Sequence, residues 1–127
     1  MRYYNISNKK DKLDFPQVLL NPLSKDGNLY VPFSFPHFTV GEMRTLQSMT
    51  LQEIGAFVLA KWFGDYFTKD ELNDIAYRVL NFPLPIIKVG KTVILELTHG
   101  PTMAFMDIGA GFLAQLMNGA GLILFFT

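Results

Sequence analysis

A chain of 127 residues, half of them apolar, is long enough to bury one compact core and too hydrophobic to stay disordered. Its 11 basic residues balance its 11 acidic ones with no basic run, which leaves no electrostatic footprint for nucleic acid or an acidic membrane. The absence of cysteine excludes disulfides and thiolate chemistry, and zero net charge with 14% aromatic residues predicts modest solubility and self-association through exposed apolar surface.

The first fourteen residues, MRYYNISNKKDKLD, are polar and charged, without the apolar core of a secretory signal, so the chain reads as cytoplasmic. Arg2 to Ile6 has the aromatic content of a short strand, and Asp14-Phe15-Pro16 reads as a cap with proline in the first turn of a brief helix. Lys25-Asp26-Gly27-Asn28 is turn chemistry, followed by an extended Leu29-Tyr30-Val31 that Pro32 stops. Three capping boxes then mark helix starts: Thr39 with Glu42, Thr50 with Glu53, and Thr68 with Glu71. Leu51, Ile54, Val58 and Trp62 recur at helical spacing after the second, and Leu72, Ile75, Ala76, Val79 and Leu80 after the third. Asp70, Asn73, Asp74 and Arg78 make the opposite face of that last helix a solvated one. His37, between Pro36 and Phe38, has no partner at metal-ligand spacing and reads as an exposed loop residue.

Beyond Pro83 and Pro85 the period changes to two. Ile87 and Val89 lead into Gly90-Lys91, and Val93, Leu95 and Leu97 alternate with Thr92, Ile94 and Glu96, which predicts a β-hairpin. Pro101 ends it, and from Phe105 to Asn118 the apolar residues run round a helix whose polar members are almost only Asp107 and Gln115. Such a helix belongs inside something. The composition from Gly119 onward, GAGLILFFT, is uncharged, and Gly119-Ala120-Gly121 is too short and too apolar in its sequel to cradle a phosphate.

The hairpin runs through His99-Gly100-Pro101-Thr102 into that helix, an arrangement that commonly receives an anion or a ligand head group. The segment THGPTMAFMDIGAGFLAQL resembles, in order and spacing, the stretch of threonine synthases around the lysine that holds pyridoxal phosphate. The opening RYYNISNKKDKLDFPQVLLNPLSKDGNLYVP is similar to that family's N-terminal strand, first helix and glycine turn, with Asn28 where a second glycine is usual. The resemblance covers about residues 1 to 118 and implies an α+β fold: the N-terminal domain of a fold type II pyridoxal-phosphate enzyme, its helices packed on a small sheet, with a hairpin leading to an apolar helix. It implies two units, residues 1–97 as the synthase-like N-terminal domain and 98–127 as the truncated start of the catalytic domain. It also implies the family's activity, a carbon-oxygen lyase reaction of threonine biosynthesis that converts the small-molecule substrate O-phosphohomoserine to threonine and phosphate. The pocket for substrate or cofactor would include His99, Gly100, Pro101, Thr102, Phe105 and Asp107.

Met106 departs from the family, since it stands where the cofactor lysine belongs. A thioether can neither form an imine nor exchange a proton at neutral pH, so covalent anchoring of pyridoxal phosphate and proton relay are lost together. Methionine keeps lysine's unbranched length, so packing can survive while reactivity does not. Thr98 replaces a usual phenylalanine and Gly111 a usual arginine, the latter at a helix cost of about 1 kcal/mol relative to alanine. The family's later phosphate-binding glycine loop has no counterpart in these residues, so the expectation is a catalytically inactive fragment. Bland alternatives stand beside these roles: His99 as a hydrogen-bonded turn residue, Asp107 as a favourable charge at a helix start, Thr102 as a helix cap. Two rival classes remain. Ile108 to Phe126 is uncharged and near spanning length, although Gln115, Asn118 and several glycines dilute it and no basic cluster flanks it. The other is a non-catalytic interaction protein whose apolar helix docks onto a full-length synthase or another subunit.

Overall fold

The computed structural model describes residues 1–119. Strands β1 (Arg2–Asn5), β2 (Asn8–Asp14) and β3 (Tyr30–Pro32) form an antiparallel sheet in the order β2-β1-β3, and helix α1 (Phe15–Leu20) follows β2 without a loop. Helices α2 (Val40–Leu46), α3 (Leu51–Phe63) and α4 (Lys69–Val79) come next, then the hairpin β4 (Ile86–Val89) and β5 (Thr92–Leu95), and finally helix α5 (Met106–Gly119). This is the expected α+β arrangement.

Each of the three expected capping boxes forms. At α4, for example, the Glu71 amide donates to Thr68 Oγ1 at 3.3 Å while the Thr68 amide donates to the Glu71 carboxylate at 2.7 Å. A fourth box, Asp14 with Gln17, starts α1, where Pro16 occupies a position whose amide would have no helical partner. Strand β2 carries no strand signal in its sequence NKKDKLD, because it is polar and without alternation. It is held as an edge by β1, with Arg2 opposite Asp14 and Tyr4 opposite Lys12, and the register slips before Asn5 meets Asn8. The slip frees Asp11 to accept from the Tyr30 hydroxyl at 2.9 Å and from buried Asn5 at 3.3 Å, which satisfies the one deeply buried amide side chain of the sheet.

The core lies where α1, α3, α4 and α5 meet. Phe15, Ala56, Leu59, Phe67, Leu72, Ile75, Ala76, Val79 and Leu116 are buried together there, and Tyr3 of the sheet packs on the cluster. Phe15 sets the junction between sheet and helices, its ring 4.6 Å from that of Phe63 and 5.3 Å from that of Tyr66. Two glycines let helices approach closely. A methyl on Gly55 would sit 2.5 Å from Leu80 Cδ1 between α3 and α4, and one on Gly111 would sit 3.0 Å from Val79 Cγ1 between α4 and α5. Gly111 therefore has a packing role that its helix propensity alone does not convey.

The expected hairpin forms, Gly90 taking a positive φ of 61° at its turn, but ends at Leu95, short of Leu97. Every residue of both strands is exposed. Helix α5 begins within a residue of its expected start. The residues after Gly119, which carry most of the GAGLILFFT segment, lie outside the described ones. Among the described residues no helix is long and apolar enough to cross a membrane.

Candidate functional site

The segment from His99 to Asp107 forms a tight connection between the hairpin and α5, stabilised by its own groups. The Met103 amide donates to the Gly100 carbonyl at 3.0 Å and the Asp107 amide to the Ala104 carbonyl at 3.1 Å. Asp107 turns its carboxylate back over this connection, where it accepts from the Thr102 amide at 3.0 Å and from the Thr102 hydroxyl at 2.5 Å. Gly100 is buried directly beneath, with space for no side chain: a Cβ would lie 2.8 Å from Asp107 Cβ. The Thr102 hydroxyl holds the Asp107 carboxyl below the usual carboxylate range.

These bonds correct one sequence expectation. Thr102 does not cap α5, because its hydroxyl donates to Asp107 instead of accepting from a helix amide. They also bear on anion binding. The Asp107 carboxylate already takes both Thr102 donors and puts negative charge at the helix start, which disfavours an anion at Thr102.

His99 is exposed beside the turn, its Nε2 2.7 Å from Glu96 Oε2, and Pro101 is exposed next to it. Thus Gly100, Thr102 and Asp107 lie against one another, while His99 precedes them in the chain with its ring beside Glu96. Phe105 and Met106 point elsewhere. They are 67% and 60% exposed and line a groove of about 470 Å³ with Leu97, Ile108, Gly109, Ala110 and Leu113. Among the described residues, none that lines this groove carries a cation, hydroxyl or amide side chain. A lysine at position 106 would project into it, but no described residue lining it would receive a phosphate, so the described residues do not fit pyridoxal phosphate, either as an imine or by its phosphate.

A second apolar cleft, about 540 Å³, adjoins the groove along Gly109 and Leu113 and lies between α5, α3 and α1; Trp62 and Phe112 are among its walls. Sequence reasoning did not separate its residues from the core, because apolar spacing on α3 and α5 signals burial without saying against what. His37 is an exposed loop residue, as expected. Among the described residues no group of three His, Asp or Glu side chains could hold a metal ion.

Comparison with known proteins places this architecture. The family described as the threonine synthase N terminus matches residues 2–79. The threonine synthase of Escherichia coli strain K12 is 30% identical over 119 residues, which cover 93% of this chain and 28% of that protein. That of Pseudomonas aeruginosa is 31% identical over 124 residues, or 93% of this chain and 26% of its own length. Among solved structures, E. coli threonine synthase superposes with a TM-score of 0.89 at 28% identity, over 96% of this chain and 29% of that one. The pyridoxal-phosphate-bound threonine synthase from Brucella melitensis does so with a TM-score of 0.86, also at 28% identity, over 94% of this chain and 27% of that one. The chain therefore spans a little over a quarter of the length of the relatives it matches. With the N-terminal family pattern across most of its length and the sheet-and-helix arrangement of the solved enzymes, this chain belongs to the threonine synthase N-terminal family.

Proposed function

We propose that this chain supplies the N-terminal part of a threonine synthase-like site, residues 1–97 as the N-terminal domain and 98–127 as the start of the pyridoxal-phosphate domain, in a form without Schiff-base chemistry. The observation that carries this reading is Met106. It takes the cofactor-lysine position of the family motif, and it is solvent-facing on a groove whose described lining residues carry no polar side chain. His99, Gly100, Pro101, Thr102, Phe105 and Asp107 are the pocket residues in this reading: Gly100 and Asp107 fix the turn, and His99 offers its ring from the rim. The family's substrate, O-phosphohomoserine, would meet that turn with its phosphate held by residues other than the described ones. The compartment proposed is the cytoplasm.

Pyridoxal phosphate, when bound by a synthase, supplies an electron sink for carbanion chemistry; this chain's residues neither anchor it nor relay protons to it. Borohydride reduction of the chain with pyridoxal phosphate, followed by peptide mass spectrometry, is expected to show only scattered, substoichiometric adducts on surface lysines such as Lys88 and Lys91. A single stoichiometric adduct at any one lysine would overturn the reading. Met106→Lys restores an amine without restoring a phosphate site, so phosphate release from O-phosphohomoserine should stay at background. Turnover by that variant would show that these residues suffice for the reaction.

A further inference from the structure

We propose that the outer face of the three-stranded sheet carries an anion-binding pocket, lined by Arg2, Lys12, Phe33 and Ser34, whose ligand is a small phosphate, either inorganic phosphate or the phosphate group of a low-molecular-weight monoester. Neither Met106 nor the turn before α5 takes part, so this site is independent of the loss of Schiff-base chemistry.

The two faces of the sheet differ. Tyr3 packs on the core, so the alternation of β1 turns Arg2 and Tyr4 outward, and the register sets Lys12 beside Tyr4 on that same face. Just beyond β3, the Phe33 amide donates to the Arg2 carbonyl at 3.0 Å. This bond lays the Phe33 ring against Tyr4, with 5.2 Å between centroids and 69° between planes. The Phe33 ring in turn holds the Lys12 ammonium 4.9 Å from its centroid, and the Tyr4 ring holds that of Lys9 at 5.7 Å. Arg2, Lys12, the Phe33 ring and exposed Ser34 line a hollow of about 310 Å³. That lies at the lower end of the roughly 300–1,000 Å³ of small-molecule clefts, so the ligand is small.

The cations of this face lack acidic partners. No ion pair among the described residues includes Arg2, Lys9 or Lys12. Two acids are close in the sheet and both are committed: Asp14, opposite Arg2, accepts from the Gln17 amide at 3.1 Å as the α1 cap, and Asp11 accepts from the Tyr30 hydroxyl at 2.9 Å. The face therefore concentrates positive potential that the chain's zero net charge conceals. The donor types select the ligand. A guanidinium fork, an ammonium and a hydroxyl can each take a separate oxygen, and a phosphate monoester presents three oxygens with close to two negative charges. A carboxylate has only two oxygens and one charge, which leaves a donor and a cation unused. The ring beside Lys12 restrains its ammonium beforehand, so less side-chain freedom is lost when the anion arrives.

The test titrates the isotope-labelled 127-residue chain with inorganic phosphate and, separately, with glycerol phosphate, and follows its amide resonances by nuclear magnetic resonance. Saturable shifts centred on Arg2, Lys12, Phe33 and Ser34 are expected, with the two ligands competing; whichever binds more tightly supports the site and identifies the source of its phosphate. Arg2→Gln and Lys12→Gln should each weaken binding about tenfold, while Lys12→Arg retains it. Phe33→Leu, which keeps an apolar wall but removes the ring beside Lys12, should weaken it about threefold. Lys69→Gln removes the same charge at the start of α4 and should change nothing. Circular dichroism checks the fold of each variant, and Ser34→Ala, a change at an exposed loop hydroxyl, gives a further loss of affinity that does not depend on altering a strand. Absence of a saturable shift, equal weakening by Lys69→Gln, or acetate binding as tightly as phosphate overturns the proposal. An oligonucleotide that displaces phosphate and shifts resonances along the whole of β2 would assign the face to nucleic acid and overturns it as well.

Discussion

The α3–α4 pair and the β4–β5 hairpin both carry regularly spaced apolar residues, yet only the first buries them. Leu72, Ile75, Ala76 and Val79 disappear against Ala56 and Leu59, whereas Ile86, Val89, Val93 and Leu95 stay in solvent. Periodicity states which face is apolar; what covers that face depends on elements elsewhere in space. The first pair finds its cover within these residues because α1, α4 and α5 converge on Phe15 and Leu59. The hairpin is apolar on both faces and finds cover on neither.

The sharpest way to break this comparison is a pair of truncations. Leu72 is 1% exposed at the centre of the core, so Leu72→Ala should cost about 3 kcal/mol, the removed side chain plus the cavity it leaves. Val93→Ala should change stability by less than about 0.5 kcal/mol, since its side chain is already in water. Urea denaturation followed by far-ultraviolet circular dichroism measures both. Comparable losses would mean that the hairpin is packed in solution and that the two regions do not differ as described.

A smaller effect sharpens why the first region holds together. Thr68→Ala removes the hydroxyl that accepts from the Glu71 amide and donates to its carboxylate, at a cost of about 1 kcal/mol at neutral pH. The backbone bond from Thr68, with the hydroxyl's help, holds the Glu71 carboxyl below its ordinary value. A depressed carboxylate contributes stability above its unfolded pKa, about 4.3, and loses it as pH falls through the folded value. The penalty of Thr68→Ala should therefore shrink in denaturation series taken from pH 7 down to pH 3. A penalty constant across that range would show that the charge on Glu71 contributes nothing to the cap. Glu42 supplies a useful control: Lys61 first, with Thr39, lowers its carboxyl to about 2, so the α2 ion pair persists into more acid solution.

How much was legible follows the same division. The caps, the helices they start and the hairpin turn were readable because each is decided by residues within four positions of one another. Strand β2 was not, because Lys9, Lys10 and Lys12 have no strand preference, and the strand is held through the register in which Tyr3 meets Leu13 and Tyr4 meets Lys12. The residues of the turn before α5 were identifiable from their motif. The direction of the Thr102–Asp107 bonds was not, since threonine and aspartate can each either cap or be held. Gly111 was misjudged in weight for a related reason: its value lies in the approach of Val79, thirty-two positions earlier in the chain.

Met103 offers the finest test, at the boundary between the two regions. Its φ of 55° is left-handed, the one such non-glycine value among the described residues, and its side chain is 77% exposed. The conformation accompanies the bond from the Met103 amide to the Gly100 carbonyl and the grip of Asp107 on Thr102. Left-handed backbone costs an L-residue roughly 1–2 kcal/mol, and glycine avoids that cost but loses more entropy on folding. Met103→Gly should thus stabilise the chain by about 0.5 kcal/mol, read as a small rise in denaturation midpoint with unchanged slope. A loss of stability instead would mean that the Met103 side chain is covered in solution, which would extend the buried surface from the core across the turn and leave the hairpin alone as the uncovered part.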